Sequence, residues 1–426
     1  MTFRQRLSLR SPVLGKRRQP GIIGAMKSIP LVLALAATTA LAAPPQPKFL
    51  AQDLDTKIQI GYGLAIADVD GDGKPDILLA DKKQFVWYRN PGKRGAAWDK
   101  FVLAENLTEK DNVCIAARNI GGKCEIAVGA EWNPGDTVNS GAVFYLLPPA
   151  DRTQKWEAVK FPSVEPTTHR MKWVKREDGR FDLVVVPLHG RGNKNGEGAG
   201  VKVLSYRKPA NPRDEWKSET VCDAMHMTHN FDVLAFPEDT AKEHLLIGGK
   251  EGVSIVIQEE GQWKCRPAVQ HSAYAPPLPG MGEIRIGWTV KDGKKEPFGV
   301  AVEPMHGNML AYYKAEPANS DSKTPPRTVL DSTLADGHAL ACGDVLGLGY
   351  DQVVVGWRAM QKPDAKVGIK LFVSDAAGAQ WTQHLIDDNT MACEDLVLAD
   401  LDGDGKLDIV AAGRATKNVK IYWNER

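Results

Sequence analysis

One acidic motif occurs near both ends of the chain and restricts the fold around it. Residues 67–80 read ADVDGDGKPDILLA, and residues 399–412 read ADLDGDGKLDIVAA. Both copies place Asp at positions 1, 3, 5 and 9 of a loop, with glycines at positions 4 and 6 where the backbone must turn tightly. Each loop leads directly into a short apolar run. The motif therefore predicts a turn within a β-hairpin, because an EF-hand would require a longer loop between two helices.

The carboxylates of each loop predict a cation site. So many negative charges in one turn repel one another unless a cation lies among them, and oxygen ligands without His or Cys favour Ca²⁺. The backbone carbonyl at position 7 is expected to complete the set. The expected ligands are Asp68, Asp70, Asp72, Lys74 and Asp76 in the first loop, and Asp400, Asp402, Asp404, Lys406 and Asp408 in the second. We expect two calcium sites; the alternative is an acidic turn without metal.

Short strands repeat through the rest of the chain in units of roughly 50–60 residues, the length of a propeller blade. The strand expected to open each unit covers residues 64–67, 113–116, 170–173, 231–234, 283–286, 339–342 and 396–399. Two more strands follow, and a fourth often begins with Trp. The last unit lacks its fourth strand, which we expect residues 48–53 to supply. The sequence predicts an all-β, seven-bladed β-propeller of four-stranded blades, its ring closed by the mature N-terminal strand.

Residues 1–42 predict export. Lys27 precedes an apolar run, residues 29–42, that ends in Ala-Leu-Ala, as in a secretory signal peptide. The run is shorter than the ~20 residues that cross a bilayer, so no membrane span is expected. A signal peptide that begins at Met26 is complete, and we expect Met26 to be the true start; a long basic leader is the alternative. The propeller then covers residues 43–426, in the periplasm or outside the cell.

Charge and cysteine content restrict the partners and the disulfides. The formal net charge is +1, and residues 1–42 contain seven basic and no acidic side chains, so residues 43–426 carry −6. This gives no electrostatic case for nucleic-acid binding.

The six cysteines form no CxxC motif, although export would permit disulfides. Cys114 and Cys124 flank a turn and either pair or remain buried thiols, whereas Cys342 and Cys393 occupy similar places in two units, which indicates packing.

Polar residues collect at one end of the predicted blades. The start of the first strand and the end of the second lie together around the central channel, and the acidic loops lie at the other end. Six of the nine histidines fall at these positions. The candidate catalytic residues are His169, His189, His229, His338, Arg191 and Arg358. The candidate substrate-binding residues are His226, Glu303, His306, Glu394, Arg414, Trp132 and Trp357.

These side chains suit an anionic or carbonyl-bearing sugar. A neutral His can take a proton from a carbon beside a carbonyl, Arg can stabilise the enolate, and a second His or Tyr can protonate the leaving oxygen. Several histidines could instead hold a second divalent metal as a Lewis acid. His226 and His229 can share such a metal only if His226 precedes the strand. A polar, water-filled channel without catalysis is the alternative.

The acidic motif, followed by a strand and repeated in a propeller, resembles the FG-GAP/VCBS repeat family of exported bacterial proteins. The sixth unit keeps a partial copy of the acidic motif at residues 344–351, and units 2–5 lack the motif. The segments PLHGRG, MHMTH and GHALACGD support this resemblance, and they are more loosely similar to the propeller domain of aldos-2-ulose dehydratase. The resemblance implies a calcium-binding propeller with a carbohydrate-type site, acting as a sugar dehydratase or polysaccharide lyase. The alternatives are a non-catalytic carbohydrate- or protein-binding module and a structural scaffold.

Overall fold

Seven antiparallel sheets of four strands each make up the computed structural model, which describes residues 46–236, 239–315 and 323–426. The predicted signal peptide lies outside the described residues. In chain order the strands are β1 (Phe49–Asp55), β2 (Gly63–Ala67), β3 (Asp76–Ala80), β4 (Gln84–Arg89), β5 (Asp99–Glu105), β6 (Cys114–Ile120), β7 (Lys123–Ala130), β8 (Ala142–Leu147), β9 (Glu157–Lys160), β10 (Thr168–Lys175), β11 (Phe181–Pro187), β12 (Val203–Arg207), β13 (Lys217–Cys222), β14 (Thr228–Phe236), β15 (Asp239–Gly249), β16 (Gly252–Glu259), β17 (Gln262–Gln270), β18 (Ile284–Lys291), β19 (Lys294–Glu303), β20 (Met309–Lys314), β21 (Arg327–Asp331), β22 (Gly337–Gly343), β23 (Gln352–Trp357), β24 (Gly368–Ser374), β25 (Trp381–Asp388), β26 (Cys393–Ala399), β27 (Asp408–Gly413) and β28 (Asn418–Asn424).

The sheets are the blades of a ring. Strands β2–β5 form blade 1, and each following set of four forms the next blade, up to β22–β25 in blade 6. Blade 7 contains β26, β27 and β28, and β1 pairs antiparallel with β28 at its outer edge. The first strand of each blade contacts the first strands of its neighbours, and β26 also contacts β2. The predicted all-β, seven-bladed architecture is therefore confirmed.

Burial follows the position of a strand in its blade. The second strands β3 and β23 are buried along their whole length, because the adjacent blades cover both faces of the sheet. The outer strand β25 is mostly exposed or only partly buried along its length. Apolar clusters lie between adjacent blades, and Trp156 and Trp216 at the start of outer strands are buried in two of them. Packing between blades thus accounts for these tryptophans.

Helix is almost absent from the described ranges. Within them the structure contains one 3₁₀ turn, His271–Ala273. None of the helical segments in the described part is long and apolar enough to cross a membrane.

The cysteines pair in a way that the sequence did not predict. A disulfide joins Cys222 in β13 to Cys265 in β17, the outer strands of blades 3 and 4. Cys114 and Cys124 are buried free thiols, and they pair across the β6–β7 hairpin with other residues. The bond considered between these two cysteines is therefore absent, and the covalent link instead connects two blades.

Candidate functional site

Four blades begin with an irregular step that directs a side chain towards the channel. The pairing register shifts at His169 between β10 and β11 and at His338 between β22 and β23. It also shifts near His229 in β14 and at Glu394 in β26. A β-bulge adds an unpaired residue and re-aims its side chain, and bulges are frequent beside active sites. Equivalent positions of blades 3, 4, 6 and 7 thus present three histidines and one glutamate to the same cavity.

Five aromatic rings from five consecutive blades meet at this end of the channel. His229, His306 and His338 form a cluster: one ring nitrogen of each lies within 4.8 Å of those of the other two, and Nε2 of His229 is 2.8 Å from Nε2 of His306. The backbone of His306 is left-handed, with φ of 54°, a conformation with an energetic cost for a non-glycine residue. His169 packs edge-on against His229 and stacks on Trp132, with ring centroids 4.8 and 5.0 Å apart.

Backbone carbonyls determine which nitrogen of these rings carries hydrogen. Nδ1 of His169 is 2.7 Å from the carbonyl oxygen of His229, and Nδ1 of His338 is 2.6 Å from that of Glu394. Nδ1 of His229 is 3.1 Å from the carbonyl oxygen of Gly282. A carbonyl oxygen only accepts, so each Nδ1–H donates and Nε2 of the neutral ring keeps its lone pair. Metal-binding histidines commonly have this arrangement.

A buried carboxylate lies behind one ring of the cluster. Oε1 of Glu283 is 3.3 Å from Nδ1 of His229, and Oε2 accepts a 2.6 Å hydrogen bond from Asn230. Arg285 is 3.3 Å from the same carboxylate. Burial alone would raise the pKa of Glu283, but His229 and Arg285 bring that pKa down to about 2. Glu283 is therefore ionised and holds the Nδ1–H of His229 in place.

Burial keeps His169, His306 and His338 neutral. Burial, and after it the charge of Arg170, lowers the pKa of His169 well below its usual range. Burial lowers the pKa of His306 to about 2, and burial with the charge of Arg358 lowers the pKa of His338 well below 6.5. Neutral imidazole is the form that binds a metal or accepts a proton.

Ion pairs form the wall of the cavity contributed by blades 1, 6 and 7. Nε of Arg358 is 3.0 Å from Asp336, and its Nη1 is 2.6 Å from Glu394. The second oxygen of Glu394 accepts a 2.9 Å hydrogen bond from Arg414, whose guanidinium lies 5.2 Å from the ring centroid of Tyr62. The charges of both arginines in this wall are thus balanced by direct carboxylate partners.

These groups surround a cavity of about 350 Å³, a volume in the range of small-molecule sites. It is lined by Tyr62, Val113, Trp132, Pro134, His169, Arg170, Leu188, Met227, His229, Met305, His306, His338, Arg358, Met360, Glu394 and Arg414. The structure thus brings together eight of the side chains that the sequence suggested, namely His169, His229, His306, His338, Arg358, Glu394, Arg414 and Trp132.

Two of the other suggested residues belong to the packing of blades 5 and 6. Glu303 is fully buried, 2.6 Å from Arg327, and it also accepts a hydrogen bond from Tyr313. Trp357 is buried in the apolar cluster between these blades and donates to the carbonyl oxygen of Lys366. Neither residue lines the cavity.

Three further suggested residues also lie away from the cavity lining. His226 precedes β14, is exposed, and pairs with Glu251 at 2.9 Å instead of joining His229. Arg191 is half-exposed and donates to the carbonyl oxygen of Val138. His189 is buried and does not line the cavity. These three residues lie in loops outside the strands. The course of each loop sets the direction of its side chains, so they do not point into the cavity as the bulge residues do.

Some lining residues had been given no role from the sequence. Arg170 is only the first residue of the first strand expected at residues 170–173. Tyr62 stands immediately before β2, so applying the same rule to blade 1 would have identified it. Met227, Met305 and Met360 carry no sequence signal that separates them from core residues.

The aspartate loops lie at the other end of the blades. Ala67 pairs with Asp76, so the loop formed by residues 68–75 is at the end of β2 opposite to Tyr62. The equivalent pairing of β26 with β27 places the second loop likewise. In each loop, carboxylate oxygens of three aspartates lie within 4.8 Å of one another. The two groups are Asp68, Asp70 and Asp76, and Asp400, Asp402 and Asp404.

Backbone N–H groups and basic side chains already contact these carboxylates. Asp68 accepts a 2.7 Å hydrogen bond from the N–H of Gly71, and the second loop repeats this contact. Arg89 is 2.8 Å from Asp70. The two side chains at position 7 also turn back onto their own loops: Lys74 pairs with Asp72, and Lys406 with Asp404.

The comparison with protein families identified one match. Residues 140–316 match the family described as aldos-2-ulose dehydratase, beta-propeller domain. The matched segment contains His169, His229 and His306, and it contains neither aspartate loop nor His338. A comparison with curated protein sequences found no match.

Solved structures share the fold at low identity. One is a chain of the mitotic checkpoint complex, with a TM-score of 0.52 and 10% identity, over 94% of this chain and 98% of that chain. Another comes from the crystal structure of BBS1N in complex with ARL6DN, soaked with mercury, with a TM-score of 0.51 and 13% identity, over 89% of this chain and 97% of that chain. These two similarities concern the fold alone. The chain is a seven-bladed propeller that is similar, over residues 140–316, to the propeller domain of aldos-2-ulose dehydratase.

Proposed function

We propose that the cavity is a metal-assisted site for β-elimination on a sugar-type ligand, and that the protein is a carbohydrate dehydratase or lyase. The observation that carries the proposal is the convergence of His229, His306 and His338, with Nδ1 of two of these rings already engaged by carbonyl oxygens. The match of residues 140–316 to the propeller domain of a sugar dehydratase supports the ligand class.

The donor set fits a divalent transition metal. Imidazole nitrogens favour Zn²⁺, Cu²⁺, Ni²⁺ or Fe²⁺ over Ca²⁺. His229 uses its Nδ1–H towards Gly282 and Glu283, so its Nε2 keeps a lone pair that faces His306 and could bind a metal, and Glu283 gives this ring the usual carboxylate support. When bound, such a metal supplies Lewis-acid polarisation of a carbonyl or hydroxyl oxygen of the ligand.

His169 is the base in this proposal. Its Nδ1–H donates to the carbonyl oxygen of His229, and stacking on Trp132 fixes its ring, so Nε2 keeps its lone pair. Its Nε2 can therefore take a proton from a carbon beside a carbonyl. Tyr62 lines the same cavity and donates its hydroxyl proton to Asp111 at 3.1 Å; in this proposal the hydroxyl turns from Asp111 to protonate the departing oxygen.

The test is to look for an unsaturated product. Zinc-loaded protein is incubated with 2-keto sugars and with uronate polymers, and ultraviolet absorbance follows the new carbon–carbon double bond. We expect turnover of one of these classes, and we expect H169Q to lose that turnover while it still binds Zn²⁺. Turnover that survives H169Q would contradict the role of this base.

A binding module without catalysis is the second candidate. Met227, Met305 and Met360 give the cavity adaptable apolar surface, which is typical of recognition sites. Ligand binding in the cavity with no product from either class would favour this candidate.

Calcium binding at the two aspartate loops is a further part of the proposal. The partial copy of the loop in blade 6 supports calcium binding. Its Asp344 accepts hydrogen bonds from the N–H groups of Leu348 and Gly349, although positions 3 and 5 of this loop are Leu346 and Leu348. The loop turn thus does not need carboxylates at those positions. We propose that the intact loops keep them as ligands for Ca²⁺.

Export to the periplasm or beyond is also proposed. The disulfide between Cys222 and Cys265 supports it, because structural disulfides persist in oxidising compartments.

A further inference from the structure

Arg170 differs from the other two guanidinium groups at the cavity. Arg358 and Arg414 form ion pairs with Asp336 and Glu394. Among the residues that the structure describes, Arg170 has no carboxylate oxygen within 4.0 Å, and its one hydrogen bond runs from Nη1 to the carbonyl oxygen of His169, at 3.1 Å. A guanidinium carries five N–H donors in a rigid fork, so most of its donors remain available to a ligand.

The position of Arg170 places this charge beneath the histidines. It follows the bulge residue His169 in β10 and lines the histidine cavity. It also lines a second cavity of about 350 Å³ further along the channel, together with Lys172 and Asp395. Asp395 accepts backbone hydrogen bonds from the N–H groups of Leu64 and Leu396, at 2.8 and 3.0 Å. Its carboxylate is thus held by the backbone of β2 and β26.

We infer that Arg170 binds a carboxylate of the ligand, so that the site takes acidic sugars of the uronate class in preference to neutral sugars. This inference rests on the proposed function and narrows its substrate class. A bidentate guanidinium–carboxylate pair is strong and directional, and it is stronger where water is partly excluded.

The chemistry of a uronate fits this placement. The base takes the proton from the carbon that bears the carboxylate, and the neighbouring carbon–oxygen bond breaks. A carbon–carbon double bond forms between these two carbons, and the departing oxygen takes a proton. Negative charge spreads onto the carboxylate as the first proton leaves, and a cation held on that group stabilises the charge.

The experiment compares D-galacturonate with its neutral methyl ester by isothermal titration calorimetry on the zinc-loaded full chain. We expect the acid to bind about 10- to 100-fold more tightly, the range of hydrogen bonds to charged groups. R170Q should bind both forms equally, and R170K should keep part of the preference, because it retains the charge but loses the fork. K172Q is the matched control, since Lys172 lies two residues along the same strand and lines only the second cavity.

The inference is overturned if wild-type protein binds acid and ester equally or binds neither. It is also overturned if R170Q keeps the preference, or if K172Q removes it, which would place the anion in the second cavity. Thermal melting checks that R170Q is folded; if it is not, R170K and the wild-type comparison decide. Zinc titration without sugar reports on the histidine cluster separately. Zinc binding without acid preference would remove this inference and leave the proposed function standing.

Discussion

The two ends of the propeller both gather metal-ligand side chains, but they hold them in different ways. At the channel end, the histidines come from four consecutive blades and are mostly buried, and His169, His229 and His338 donate Nδ1–H to backbone carbonyls of the next blade. At the other end, each aspartate group belongs to one loop, is partly exposed, and accepts hydrogen bonds from its own backbone. The histidine cluster therefore exists only when the ring is assembled, whereas each aspartate loop can form from local sequence.

Because of this difference, we expect the two proposed metal sites to respond to metals in different ways. We expect the histidine cluster, which several blades preorganise, to lose little conformational entropy on binding and to prefer a transition metal through its imidazole nitrogens. An exposed loop of carboxylates selects a hard cation and couples it to the stability of one hairpin. Substitutions at the channel end should therefore change metal affinity strongly, and those in the loops should mainly change the melting temperature.

The largest effect is expected from removal of a histidine of the cluster. H306A deletes one of three converging nitrogens. Loss of a residue that only supports a metal ligand lowers affinity by about 10- to 100-fold, so we expect loss of a ligand itself to lower Zn²⁺ affinity by more than about 100-fold. Calorimetric zinc titration measures this, and Co²⁺ absorption reports the coordination. H226A is the control, because His226 is exposed and paired with Glu251 outside the cavity. Unchanged zinc affinity in H306A would rule out the cluster as a metal site.

A smaller effect is expected from the carboxylate behind the cluster. E283Q keeps the shape of the side chain but loses the charge that supports the Nδ1–H of His229, so zinc affinity should fall about 10- to 100-fold. E303Q is the matched control, because Glu303 is also buried and paired with an arginine but lies outside the cavity. If both variants weaken zinc binding equally, the effect comes from general loosening of the blades and not from support of His229.

Calcium removal should change stability by several degrees. In the H306A background, where we expect transition-metal affinity to be more than about 100-fold weaker, chelation should lower Tm because a ligand at 100 times its Kd stabilises the folded state by about 2.7 kcal/mol. The double variant D70N/D402N should melt lower than its parent and lose the response to chelator. A melting curve that chelation leaves unchanged would remove the calcium sites.

The local part of this architecture is predictable from the sequence. The strands follow from apolar runs between turn residues, and the aspartate loops follow from Asp and Gly spacing. His169, His229 and His338 were found because each lies one or two residues before an expected first strand. What connects different blades is not encoded locally: the pairing of Cys222 with Cys265 and the carbonyl partners of His169 and His338 depend on how neighbouring sheets pack. Glu303 instead lies away from the channel because Tyr313 and Arg327, in the third and fourth strands of its own blade, bind its carboxylate.

The smallest effect is expected at the seam between blades 1 and 7. Arg94 reaches from blade 1 to Asp404 at 2.8 Å and to the carbonyl oxygen of Asn424 at 3.1 Å, and it also pairs with Asp402. Its side chain is about one-third exposed, so R94Q should cost about 1 kcal/mol or less, and the loss should shrink as salt rises.

Arg213, in the turn before β13, pairs with Glu157 of β9, and both side chains are more than half exposed; it provides the control R213Q with no expected change in Tm. Because Arg94 and a cation both bind the carboxylates of the second loop, R94Q and chelation should be non-additive. Additive losses would mean that Arg94 supports the seam independently of any cation in the second loop.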